Sequence, residues 1–148
     1  MVKKILCMFG VCGSLYVLLE LIFRGRSHIS MFFAGGFSAA CIFFCCQFGK
    51  LKKTCTFVKC LFGSAVITAV EFITGVIVNL WLRLRVWDYS EVPFNLLGQI
   101  CLPFSFIWFL LTMPILAFGK LLCAKDTQRT SKASMKRDMP ASPSSSGE

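Results

Sequence analysis

The sequence predicts an all-α membrane protein: four transmembrane helices as two antiparallel hairpins, with a disordered cytoplasmic tail. Three observations carry this. Hydrophobic residues make up 56% of the chain and its mean hydropathy is +0.72, whereas soluble domains are about 45–50% apolar. Those residues gather in four runs, about 5–23, 29–48, 57–82 and 96–122, each of a length that crosses roughly 30 Å of hydrocarbon. The 16 Lys and Arg residues cluster between and after the runs, so the net charge of +9 reads as a topology signal. The expected partner is a lipid bilayer, and no nucleic acid is expected.

The first run follows Lys3 and Lys4 and ends in Leu19-Glu20-Leu-Ile-Phe-Arg24. It has no small-residue cleavage region, which predicts a retained helix and not a signal peptide. Gly10, Gly13, Val17, Glu20 and Arg24 share one helical face, turning small residues and a carboxylate away from lipid. Glu20 stands four residues before Arg24, the favourable order for an ion pair on a helix.

The link Arg24-Gly-Arg-Ser-His28 is short enough to imply an antiparallel return. In the second run Ala34 and Ser38, like Gly35 and Ala39, are spaced to admit a neighbouring helix closely. A basic link, Lys50-Leu-Lys-Lys53, leads to the third run. There Ser64, Thr68, Glu71, Gly75 and Asn79 form a polar and small stripe at spacings of four and three.

The third link holds Arg83, Arg85, Asp88 and Glu91. Trp81, Trp87 and Tyr89 suit the headgroup belt. Asp88 or Ser90 is suited to capping a short turn, Pro93 to its early positions and Asn95 to capping the fourth helix. Trp87, Asp88, Tyr89, Ser90, Pro93 and Asn95 thus form a candidate extracytoplasmic motif. In the fourth run, Pro103 and Pro114 are expected to bend the helix or free a carbonyl. The basic, Ser- and Pro-rich segment 123–148 has too little apolar surface to order itself.

The segments before the first run, between the second and third, and after the fourth hold twelve of the Lys and Arg residues, counting Lys59 with the second link and Lys120 with the tail, against four in the other two links. The positive-inside rule then places both termini in the cytoplasm, in a multi-pass protein of the cell membrane. Gly13-Ser14, Glu20 and Gly25 also echo Gly63-Ser64, Glu71 and Gly75, as two related hairpins would.

The chemistry concentrates on carboxylates in apolar helices. At about 1.5 Å per residue Glu20 and Glu71 lie roughly 20 Å in from the cytoplasmic side, at matching depth. A carboxylate there costs on the order of 3 kcal/mol on insertion scales unless paired, protonated or hydrated. Glu20, Glu71, Asn79 and Arg24 are therefore the candidate intramembrane polar site, either serving a proton or substrate or locking the bundle.

The nine cysteines form no Cys-x-x-Cys pair and no zinc spacing with His28, so no metal is expected; they read as small packing residues kept as thiols. No phosphate-binding Gly-rich loop, His-Glu-x-x-His or Gly-x-Ser-x-Gly occurs, so neither an enzyme nor a cofactor is expected.

Glu71-Phe-Ile-Thr-Gly75, Trp87-Asp-Tyr-Ser90, Pro93-Phe-Asn95, Gly98-Gln-Ile-Cys101, Phe104-Ser105 and Trp108 together resemble the signature of the ABC-transporter type IV, or CmpB-like, integral membrane proteins. Glu20 and Gly35-Gly36 extend the likeness more loosely, over residues 10 to 118. The resemblance implies a small polytopic protein whose role within a transport system would be permease-like or accessory, with any ATPase a separate subunit. A structural or regulatory membrane protein, or a small proton-coupled exporter acting as a homo-oligomer, are the alternatives.

Overall fold

The computed structural model describes residues 1–138, with side chains as far as Ala124. Helix α1 spans Val2–Arg24 and α2 Ile29–Gln47. After a 3₁₀ turn at Lys50–Lys53, α3 spans Thr56–Gly75 and continues as a wide π turn over Val76–Trp81. A small antiparallel hairpin, β1 Asn95–Leu96 with β2 Ile100–Cys101, precedes α4 at Leu102–Asp138. The four spans expected from the sequence are present as apolar helices of crossing length, the last of them covering Leu102–Ala124.

Local chemistry explains the ends. Gly25 closes α1 in the left-handed conformation (φ 68°), its N–H bonding the Leu21 carbonyl. His28 caps α2, its ring nitrogen accepting the Ser30 N–H at 3.3 Å.

Two boundaries differ from expectation. Helix α4 starts at Leu102 and not near 96, because Leu97 and Gly98 both take positive φ (52° and 66°) and turn the chain into the hairpin. Pro103 therefore falls in the first helical turn, where its missing N–H costs nothing, and Pro114 is the proline inside the helix. At the other end the backbone stays helical to Asp138, past the stop expected near Leu122, since Pro140 is the first residue after the span that cannot continue a helix. The rest of the segment read as a disordered tail, 139–148, lies outside the described residues.

The helices pack as two hairpins, α1 with α2 and α3 with α4, joined mainly where α2 meets α3. Backbones approach closely at glycine. A Cβ on Gly13 would lie 2.6 Å from the Phe32 carbonyl oxygen, and one on Gly36 would lie 2.8 Å from that of Phe9. In the second hairpin Gly63 instead admits the Thr112 side chain. Of the glycines in the internal echo, Gly13 and Gly63 each sit against a neighbouring helix, whereas Gly25 caps α1 with nothing within 4 Å of its Cβ position and Gly75 meets Gln99. Ile42, Cys46, Cys60, Ile67, Trp108 and Leu116 form a buried cluster between α2, α3 and α4, with Cys46 and Cys60 as packed thiols.

Helix α1, by contrast, touches α4 at few points. The gap between them is a cavity of about 370 Å³. Its walls are almost wholly apolar, and Val11, Leu15 and Pro114 at its edge are also exposed on the outer surface, which in a membrane faces lipid.

Candidate functional site

The polar stripe of α3 is the seam on which the second hairpin closes. Near its start Ser64 donates to the Ser105 carbonyl (2.6 Å), and Thr68 donates to the Ser105 hydroxyl (3.1 Å). One turn further Glu71 is buried, with 3% of its surface exposed. Its Oε2 accepts the Trp108 indole N–H at 2.8 Å and its Oε1 the Tyr89 hydroxyl at 3.2 Å.

Tyr89 links this carboxylate to the other. Arg24 Nη2 donates to the Tyr89 oxygen at 2.5 Å, and Nη1 reaches Glu20 Oε1 at 3.4 Å. Glu20 also accepts the Ser27 hydroxyl at 2.7 Å. Glu20, Arg24, Tyr89, Glu71 and Trp108 therefore form one hydrogen-bonded chain across α1, the third link, α3 and α4. Burial first, then the Glu71 carboxylate, hold the Tyr89 phenol above its ordinary pKa. Tyr89 thus remains a hydroxyl, able to donate to one neighbour while accepting from the other.

Of the four residues expected to form the intramembrane site, Glu20, Arg24 and Glu71 are brought together. Asn79 is not joined to them. Its Nδ2 donates to Gln99 Oε1 (2.8 Å), and its Oδ1 accepts the Val86 N–H (2.7 Å). Gln99 in turn receives the Trp87 indole on its carbonyl oxygen (3.0 Å). Gly75 admits this group, since a Cβ there would stand 2.5 Å from Gln99 Oε1. Asn79 thus anchors the loop to the end of α3 beside the carboxylate chain.

The link motif divides in two. Trp87 and Tyr89 are buried, 4% and 5% exposed, and only Trp81 stands out as the headgroup belt predicts, at 79%. The correction shows in the burial, which alternates along the segment with Trp87 and Tyr89 inward and Asp88 and Ser90 outward, so both rings find partners inside. Tyr89 stacks on Phe104 at 4.7 Å between centroids.

Asp88, Ser90, Pro93 and Asn95 lie on the outside. Asp88 accepts both the N–H (2.9 Å) and the hydroxyl (2.5 Å) of Ser90, and these bonds hold its carboxyl below the ordinary aspartate pKa. Asn95 does not cap α4. Its amide donates to the carbonyls of Ser90 and Val92, and its oxygen accepts the Gly98 N–H, which fastens the loop to the hairpin turn. The outer half thus folds on itself through local hydrogen bonds.

Sequence reasoning did not nominate Trp108, Gln99 or Tyr16. The first two stand in the motifs quoted above, but no spacing ties them to Glu71 or Asn79. Tyr16 stacks on Trp108 at 5.6 Å and is held there by the bare backbone of Gly35, whose Cβ would meet the Tyr16 Cβ at 2.7 Å. Tyr16, Trp108 and Glu71 all line the cavity between α1 and α4. No cluster of metal-binding side chains occurs among the described residues.

No curated protein and no solved structure matches the chain. The profile of one protein family matches residues 4–137, spanning all four helices and every residue of the carboxylate chain. The chain therefore belongs to the family described as "Putative ABC-transporter type IV".

Proposed function

We propose that the protein is a permease-like component of a transport system. In this reading the cavity between α1 and α4 is the substrate path, and the chain from Glu71 through Tyr89 and Arg24 to Glu20 is its polar terminus. The observation that carries it is the meeting of a lipid-side apolar cavity with a buried carboxylate. A carboxylate is expensive in an apolar helix, and one serving only to join helices need not line open space. Affinity purification in mild detergent is the test. A co-purifying ATPase supports the proposal, and its absence from every preparation that retains folded protein counts against it.

A structural role is favoured by one feature: Glu71 accepts one donor from α4 and another from the link, so it also pins these segments to α3. Purification as a single chain, or as a homo-oligomer without ATPase, would transfer support to this reading or to an oligomeric exporter respectively.

In the cell membrane the proposed orientation has both termini cytoplasmic. That puts the Tyr89 link and the polar terminus toward the outer face, and the lysines of 50–53 and Lys59 toward the inner one. In a bacterial host, a fluorescent-protein fusion at the carboxyl end is expected to fluoresce, and an alkaline phosphatase inserted at the exposed Glu91 is expected to be active. The opposite pair of results would invert the topology.

A further inference from the structure

We infer that the cavity between α1 and α4 binds a lipophilic amine: an apolar body carrying one protonated nitrogen, with the nitrogen placed at Glu71. The inference names the ligand of the proposed substrate path and rests on that reading.

Three features select this chemistry. The mouth lies between Val11, Leu15 and Pro114 on the lipid-facing surface, so the entering molecule is one that dissolves in lipid. A volume of about 370 Å³ is in the range of small-molecule sites, roughly 300–1,000 Å³, and the apolar walls gain from a hydrocarbon body.

Charge is the second feature. The ion pair of the polar chain is Arg24 with Glu20, and His28 is also within electrostatic reach of Glu20. Both direct partners of Glu71 are neutral, an indole and a phenol; Arg24 is within electrostatic reach of it but its ion pair is with Glu20. A carboxylate has about four acceptor positions, and two of those on Glu71 are used. An ammonium fits the remainder, an anionic head is repelled, and a neutral molecule gains only the walls. In so dry a place the Coulomb attraction is much stronger than in water.

The third feature is aromatic. The stacked rings of Tyr16 and Trp108 line the cavity next to Glu71, and ring faces attract cations. One carboxylate without a direct ion pair and two rings converge on one end of an apolar space.

The test is equilibrium dialysis of radiolabelled dodecylamine against zwitterionic nanodiscs containing the protein, with empty nanodiscs as baseline. Saturable binding above baseline is expected, at least ten-fold tighter than that of dodecanol, which has the same tail. Glu71→Gln should weaken the amine at least ten-fold and leave the alcohol unchanged. Ala34→Phe, which fills the cavity wall without touching the carboxylate chain, should weaken both and serves as the second variant if Glu71→Gln fails to fold. No excess over empty discs, equal affinity for amine and alcohol, or amine binding indifferent to either variant would overturn the inference. Because this measures binding to the isolated chain, absent binding alongside a co-purifying ATPase would reject the ligand while leaving the permease reading standing.

Discussion

Tyr89→Phe is expected to destabilise the folded protein by about 3 kcal/mol, since hydrogen bonds to charged groups contribute roughly 1.5–3 kcal/mol each and this one hydroxyl serves two. The substitution keeps the ring, its stacking on Phe104 and its burial. What disappears is the oxygen that accepts from Arg24 and donates to Glu71, leaving a guanidinium N–H and a carboxylate oxygen facing each other across a gap. Glu71 is buried, so its oxygen does not recover a lost partner cheaply, while Arg24, 26% exposed, regains part of its loss from water. Thermal or denaturant unfolding in detergent measures the change. A double-mutant cycle with Arg24→Met separates the bond from the general loss: coupling of 0.5–3 kcal/mol is the range for residues in contact, and additivity would show that Arg24 and Tyr89 do not act together. Ser90→Ala, on the exposed side of the same link, should stay within about 0.5 kcal/mol of wild type.

The second large effect lies at the crossing of α1 and α2. Gly36→Val should destabilise by about 3 kcal/mol, the upper end for overpacking, because the first added carbon lands 2.8 Å from the Phe9 carbonyl oxygen. Backbone cannot rotate out of the way as a side chain can, so the two helices must part. Gly10→Ala is the contrast. It sits next to Phe9 on the facing helix α1, nothing lies within 4 Å of its added carbon, and exchanging glycine for alanine in a helix favours the helix by up to about 1 kcal/mol. The pair is checked by melting temperature and by the monodisperse fraction on gel filtration. Equal losses from both would mean that α1 is not seated on α2 at Gly36.

These contrasts show where a single sequence is informative. Hydropathy and length sufficed for the four spans, because lipid demands unbroken apolar helices. The spacing of Ser64, Thr68, Glu71, Gly75 and Asn79 likewise revealed the closing seam of α3, since helical periodicity is local. Gly10 and Gly13 looked alike on the small-residue face, yet only Gly13 meets a backbone: spacing names a face without naming its neighbour. Trp108 as the partner of Glu71 was hidden for the same reason, 37 positions away in sequence. The link misled differently. Aromatic residues beside a span suit the headgroup region, and that rule was applied to Trp87 and Tyr89 although the alternation Trp-Asp-Tyr-Ser carries the two-residue period of an extended, half-buried segment. The late start of α4 followed from reading Leu96, Leu97, Ile100 and Cys101 as helix when Gly98 already marked a turn.

The wide turn at Val76–Trp81 gives the chain a place to absorb changes in length. Its bonds skip five residues, as from the Leu82 N–H to the Ile77 carbonyl, so it amounts to an α-helix holding one surplus residue. Each residue of an ordinary helix turns the chain by about 100°, so a deletion between Ser64 and Glu71 would twist the Ser105 contacts out of line with the carboxylate. A deletion between Val76 and Val78 would only convert the wide turn to a regular one, with Glu71 behind it and Asn79 ahead still meeting Trp108 and Gln99. A single deletion is thus expected to be absorbed in the wide turn that follows α3 and not in the middle of α3, so the helix can be shortened by one residue at the end that carries no carboxylate.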